Sequence, residues 1–303
     1  MRMTPVTTLR KTALLPALIA TGLFAGCGGA GESAADAAAP MGGNAVEAAA
    51  ARESVAAAAE AAPADFEGTM QQVIISLGAG AVRQVVGSND LETVLAFSPD
   101  RLIKAVHDGE IEAESILKST LEIDGRMGRL QAEGQPDYSI VDGEQMATHV
   151  VMVEDRMIMT MDPAELAAAN GASKTDAEPV DLGAEKIGER EIRGYDTTGY
   201  RFKFMDNIAT VWLSEDLDED TGRFFDIWTA LNPLGVMMEA GEGAAVRAVM
   251  VNPESLSGKA SFMPAYTITE FYDLQSGDVA DERFVLPANY QRRGMAELGR
   301  APQ

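Results

Sequence analysis

The sequence predicts an α+β fold: a curved antiparallel sheet, or half-barrel, with helices packed on one face and a disordered tether ahead of it. Three observations lead there. Several windows alternate apolar and polar residues with the period of two that marks a half-buried strand, as in Tyr200-Arg201-Phe202-Lys203-Phe204. These windows come in pairs separated by short turn sequences, as hairpins do. Segments with helical spacing are inserted between hairpins and do not follow each strand, which favours an antiparallel sheet over a parallel one.

The amino terminus sets the address. Arg2, Arg10 and Lys11 precede the apolar run TALLPALIATGLFA and the small residues Ala25-Gly26-Cys27-Gly28. That is the layout of a secretory signal, too short to span a bilayer as a helix. The stretch Leu23-Phe24-Ala25-Gly26-Cys27 resembles the lipobox of bacterial lipoproteins, with Phe24 standing where that family usually has leucine. The resemblance implies removal of residues 1–26 and acylation of Cys27, palmitate included, so that the chain is held to a membrane by its lipid anchor. Gly28 and Gly29 follow, and neither is the aspartate that retains many such proteins in the inner membrane. The resemblance therefore implies an outer-membrane lipoprotein with its domain facing the periplasm. Cys27 is the only cysteine, so an exported chain has no partner for an intramolecular disulfide.

Residues 27–65 are mostly Ala, Gly, Glu and Ser with no aromatic residue. Such a segment buries too little apolar surface to offset its ordering entropy and reads as a flexible linker. Residues 66–303 then form a single β-rich globular domain, long enough for a sizeable core. The formal net charge of the whole chain is −23, and removing three basic residues with the signal makes it more negative. A surface this acidic repels phosphate backbones, which excludes nucleic acid as a partner.

Within the domain, strands are expected at Phe66–Leu77, Arg126–Ala132, Lys259–Met263, Tyr266–Tyr272 and Phe284–Leu286. Hairpins are expected at Tyr200–Phe204 with Ile208–Leu213, and at HVVMV with RMIMTM across Glu154-Asp155. Ser98-Pro99-Asp100 reads as an N-cap with proline in the first helical position, leading into RLIKAV. Ala113–Glu122 carries Ile116, Leu117 and Leu121 at helical spacing, and Thr221–Leu231 places Phe224, Phe225, Trp228 and Leu231 on one stripe. Asn170–Leu182 reads as a surface loop.

The order FEGT, then Met161-Asp162-Pro163, then Ile192-Arg193-Gly194-Tyr195, Val211-Trp212-Leu213-Ser214 and Phe284-Val285-Leu286-Pro287-Ala288-Asn289-Tyr290, resembles exported bacterial proteins that share a domain of unknown function. More loosely it is similar to the half-barrel lipoprotein carriers and sensors of the LolA and RseB kind. That resemblance implies a sheet wrapped around helices with an apolar groove for an acyl chain. It brings no catalytic residues with it.

Motifs for chemistry are sparse. There is no G-x-S-x-G; Ser255–Ala260 lacks the glycine and hydroxyl of a P-loop; and Gly78-Ala79-Gly80 lacks the third glycine of a dinucleotide fingerprint. Ser115 and Lys118 have S-x-x-K spacing without the companion elements. The acidic run Ser214–Gly222 departs from the calcium-loop pattern at Thr221 and Ile227, and its carboxylates read as helix-start charges. His107 and His149 are the only histidines and have no ligand-like spacing, so no metal or cofactor is expected. Met157, Met159 and Met161 share one strand face. Thioethers suit Cu(I), an adaptable apolar groove or a plain core. The chain is thus expected to be a non-enzymatic envelope lipoprotein that binds a lipid or an envelope protein, with Met157, Met159, Met161, Phe202, Phe204 and Trp212 as the candidate groove. The alternatives are a structural module of the envelope without a ligand and, third, an envelope hydrolase.

Overall fold

The computed structural model describes residues 66–161, 183–204, 206–222, 224–231, 241–259, 261 and 263–294. The signal, Cys27, the linker and the loop 170–182 lie outside these residues. Twelve strands form one sheet: β1 (Glu67–Leu77), β2 (Ser115–Asp124), β3 (Met127–Ala132), β4 (Tyr138–Asp142), β5 (Ala147–Met152), β6 (Met157–Met161), β7 (Glu185–Ile192), β8 (Tyr195–Phe204), β9 (Asn207–Ser214), β10 (Ala244–Val251), β11 (Tyr266–Ser276) and β12 (Gln291–Gly294). Their order across the sheet is β12-β6-β5-β4-β3-β2-β1-β11-β10-β9-β8-β7. Neighbours in this order are antiparallel except β12, which pairs parallel with β6. β1, the first strand along the chain, lies mid-sheet and is paired on both sides, with β2 and with β11.

The described helices are few and short: α1 (Ala79–Val86), α2 (Leu91–Leu95), α3 (Pro99–His107), α4 (Glu215–Asp220), α5 (Phe224–Leu231) and α6 (Pro253–Leu256). The half-barrel with a helical layer on one face is therefore replaced by an open, mixed sheet that does not close on itself. The register shows why one face is not enough. Met70 and Ile75 are an odd number of residues apart on β1, whose pairing with β2 runs without a break, so their side chains point to opposite faces. Met70 packs with Phe224, Phe225 and Trp228 of α5. Ile75 and Leu77 pack with Val82, Val94 and Leu102 of α1, α2 and α3. Both faces carry apolar residues, and each recruits its own small group of helices.

Ala113–Glu122 is not helical. Ser115–Asp124 is β2, with Ser119, Leu121 and Ile123 buried on alternate positions. Leu117 and Leu121, four apart, suit a strand of period two as well as a helix, and the β-branched Ile116, Thr120 and Ile123 favour the strand. Lys259, Ser261 and Met263 also lie outside any strand, and the expected strand at Phe284–Leu286 is instead the end of a 3-10 turn, Asp281–Phe284. The acidic run does not lead directly into the Trp228 helix. It forms α4, capped by the Ser214 hydroxyl accepting from the Leu217 amide. Phe66–Leu77, Tyr266–Tyr272, both hairpins and the proline-initiated α3 stand where the sequence places them.

Candidate functional site

The methionine face is buried. Met152 pairs across from Met157, Val150 from Met159 and Thr148 from Met161, all on one face of β5 and β6. Val150, Met152, Met159 and Met161 form an apolar cluster of their own, with Met157 half-buried beside it. Met159 and Met161 are each 2% exposed. No group of three or more His, Cys, Asp or Glu side chains is placed to hold a metal among the described residues. Phe202 belongs to a second cluster with Ala209, Val211 and Leu213, against which Phe204 packs, eight strands away across the sheet. Trp212 stands directly opposite Gly199 and Phe202 opposite Ala209 in a continuous β8–β9 register, so the two rings project from opposite faces. The structure gathers the three methionines together and sets the aromatic residues elsewhere.

Trp212 has different company. Its face of the sheet carries a cluster of charged side chains built by strand register. Arg247 of β10 lies directly opposite Glu270 of β11, and its Nε donates to Glu270 Oε1 at 2.6 Å. Arg193, in the β7–β8 turn, donates to the other Glu270 oxygen at 2.7 Å. Arg247 also donates through Nη2 to Asp100 of α3 at 2.6 Å, and Arg190 of β7 approaches the second Asp100 oxygen at 3.6 Å. The Arg190 guanidinium lies over the Trp212 ring, 4.0 Å from its centroid, a geometry that contributes about 0.5–2 kcal/mol depending on desolvation. Arg193 and Gly194 supply the positive φ angles of the turn, 56° and 88°, that brings Arg193 over Glu270.

Burial governs the charges here. It raises the Asp100 carboxyl, but the hydrogen bond and charge of Arg247 outweigh it, with Arg190 adding to them, and hold the carboxyl below its ordinary range. Burial and the charge of Arg247 lower Arg190. Burial raises the phenol of Tyr266, against the pull of Arg247 and Arg190. Of these residues, the sequence marks only Trp212 as a site candidate. A signal was there: AAVRAVMV and YTITEFY each hold a single charge inside an apolar strand, of opposite sign. Asp100 and Arg190 gave no such sign, because their partners lie far along the chain.

No family model matches the chain, and no curated protein matches it. Among solved structures, it is similar to PNGF-II in two crystal forms, with TM-scores of 0.40 and 0.37 and 10% identity, over 76% and 75% of this chain. The chain spans only about a third of the PNGF-II length, 32% and 31%. It is also similar to MucB, solved in complex with MucA(peri), with a TM-score of 0.33 and 12% identity over 80% of this chain and 61% of that one. With TM-scores below 0.5, these likenesses bear on neither the role nor the partners of the chain.

His149, on β5, is buried, with Nδ1 3.0 Å from Thr160 Oγ1 and no described partner at Nε2. Burial lowers its pKa from the ordinary 6.5, Arg292 lowers it further and Asp142 opposes both. A depressed native value means that the unfolded chain takes up the proton first. The stability this gives is complete above pH 6.5 and falls as pH drops through the lower native value. Urea unfolding at pH 7.5 and at pH 5.5 is expected to show this loss, and His149→Gln is expected to flatten it. A slope unchanged in the variant assigns the loss to other groups.

Proposed function

We propose that the chain is a non-enzymatic lipoprotein of the cell envelope, anchored through Cys27 in the outer membrane, and that its sheet domain acts by binding an envelope protein. The observation that carries this is the sole cysteine standing at the end of a basic, apolar and small-residue stretch, followed by residues 28–65 with no aromatic residue. Support for a protein partner comes from the surface: among the described residues Ile116 and Val285 are the large apolar side chains left exposed, and the chain is strongly acidic. A polar, charged surface suits contacts that form and dissociate between folded proteins. Cys27→Ser is expected to abolish incorporation of radiolabelled palmitate; label retained by the variant overturns the anchor. In-cell crosslinking of the anchored chain is expected to give a defined protein adduct.

A second reading, in which the domain takes up an acyl chain, is favoured by one feature. The cluster of Val150, Met152, Met159 and Met161 is rich in thioethers, which repack around varied apolar shapes. Native mass spectrometry and lipid extraction of the purified chain separate the two readings. Copurified lipid supports the second, and a crosslinked protein without lipid supports the first.

A further inference from the structure

The charged cluster on the Trp212 face has more hydrogen-bond donors than the described residues supply acceptors for. Arg247 is 3% exposed, yet its Nη1 is buried without a partner among the described residues. Arg190 Nε and Nη2 are in the same position. Three cations, Arg190, Arg193 and Arg247, face two anions, Asp100 and Glu270, so the group keeps one positive charge inside a chain of net charge −23. A buried guanidinium N–H without an acceptor loses its hydration in full, so a fold that holds three of them in one place is prepared for an acceptor.

The geometry says which acceptor. Glu270 is fully buried and saturated by Arg247 and Arg193 at the floor of the cluster. Asp100 and Arg190 form its outer side, with side chains 59% and 27% exposed. The Arg190 guanidinium lies against the Trp212 ring and its unpaired Nε and Nη2 are buried, so an acceptor has to enter the cluster to reach them. We propose that the Arg190–Arg247 pair is a binding site for one carboxylate from outside the chain, held beside that of Asp100. Planar guanidinium forks match a planar carboxylate, and a single negative charge neutralises the cluster. A phosphate dianion overshoots that charge next to Asp100. The site goes beyond the envelope reading and stands whether or not Cys27 is acylated.

The test uses the full chain and acetate as probe, with chloride at matched ionic strength and pH 7 as reference, read as the thermal unfolding midpoint. Acetate is expected to raise the midpoint above chloride. Asp100→Asn removes the neighbouring like charge and is expected to strengthen the apparent affinity about tenfold. Arg190→Gln is expected to lose the difference between acetate and chloride. Equal effects of the two anions on both the natural chain and Asp100→Asn overturn the site. So does an acetate response in Arg190→Gln equal to that of the natural chain, which marks a general salt effect. Phosphate outcompeting acetate overturns the carboxylate assignment. A peptide with a free terminal carboxylate binding above its amide, or an amidated peptide binding through an internal glutamate, supports the site and tells the two sources apart.

Discussion

Glu270→Gln is expected to destabilise the fold by about 3–5 kcal/mol, read as a fall in the urea midpoint at constant slope. Glu270 is 0% exposed and accepts from Arg247 and Arg193. Glutamine keeps the shape but removes the charge, and it turns two donors of its own toward guanidinium groups that also donate. Arg193 is half-exposed and finds water. Arg247 does not, and its remaining anion is Asp100, which is itself largely hydrated. The cost is that of a buried cation left with one largely hydrated partner, which exceeds the net worth of the intact pair. The double change Arg247→Met with Glu270→Leu is therefore expected to restore most of the loss, because it removes both charges and fills the volume. A single variant costing less than about 1 kcal/mol contradicts the buried link between β10 and β11.

The same residues explain what was legible in the sequence and what was not. Alternation and β-rich composition are local signals, so Phe66–Leu77, Tyr266–Tyr272 and the β5–β6 and β8–β9 hairpins could be read directly. Alternation does not say which strand lies next to which. β1 pairs with β11, nearly 200 residues further on, and with β2 beyond three helices, and nothing in FEGTMQQVIISL names those partners. Curvature and closure depend on that order, which is why the half-barrel could not be told from an open sheet. Where two periods coincide, as in SILKSTLEID, the shorter one won, because β1 offered β2 a full ladder of backbone partners. The methionine face was legible as a face, whereas the Arg190, Arg247, Asp100 and Glu270 group was not. Its members come from α3, β7, β10 and β11 and meet only through the pairing of β10 with β11 and the placing of α3 and β7 beside it.

Phe224→Ala is expected to cost about 3–5 kcal/mol, the range for truncating a fully buried aromatic side chain. Phe224 is 0% exposed and meets Phe225 and Trp228 edge to face, with centroids 6.0 and 5.9 Å away. Phe225 passes the contact on to Phe271 of β11 at 5.3 Å. The ring of Phe224 is set down on Gly128 of β3, where any Cβ would overlap its tip. The glycine is thus required by close approach, and its φ is not among the positive ones. Gly128→Ala alone is expected to cost about 1–3 kcal/mol by overpacking. The two positions share one volume, so their effects should not add: in the Phe224→Ala background, Gly128→Ala is expected to cost little, because the space it needs has been vacated. That coupling, measured by a double-mutant cycle in urea, separates a ring seated on the sheet from a helix that merely lies nearby. Strictly additive losses contradict the contact, and with it the role of α5 as the element that covers the Met70 face of the sheet.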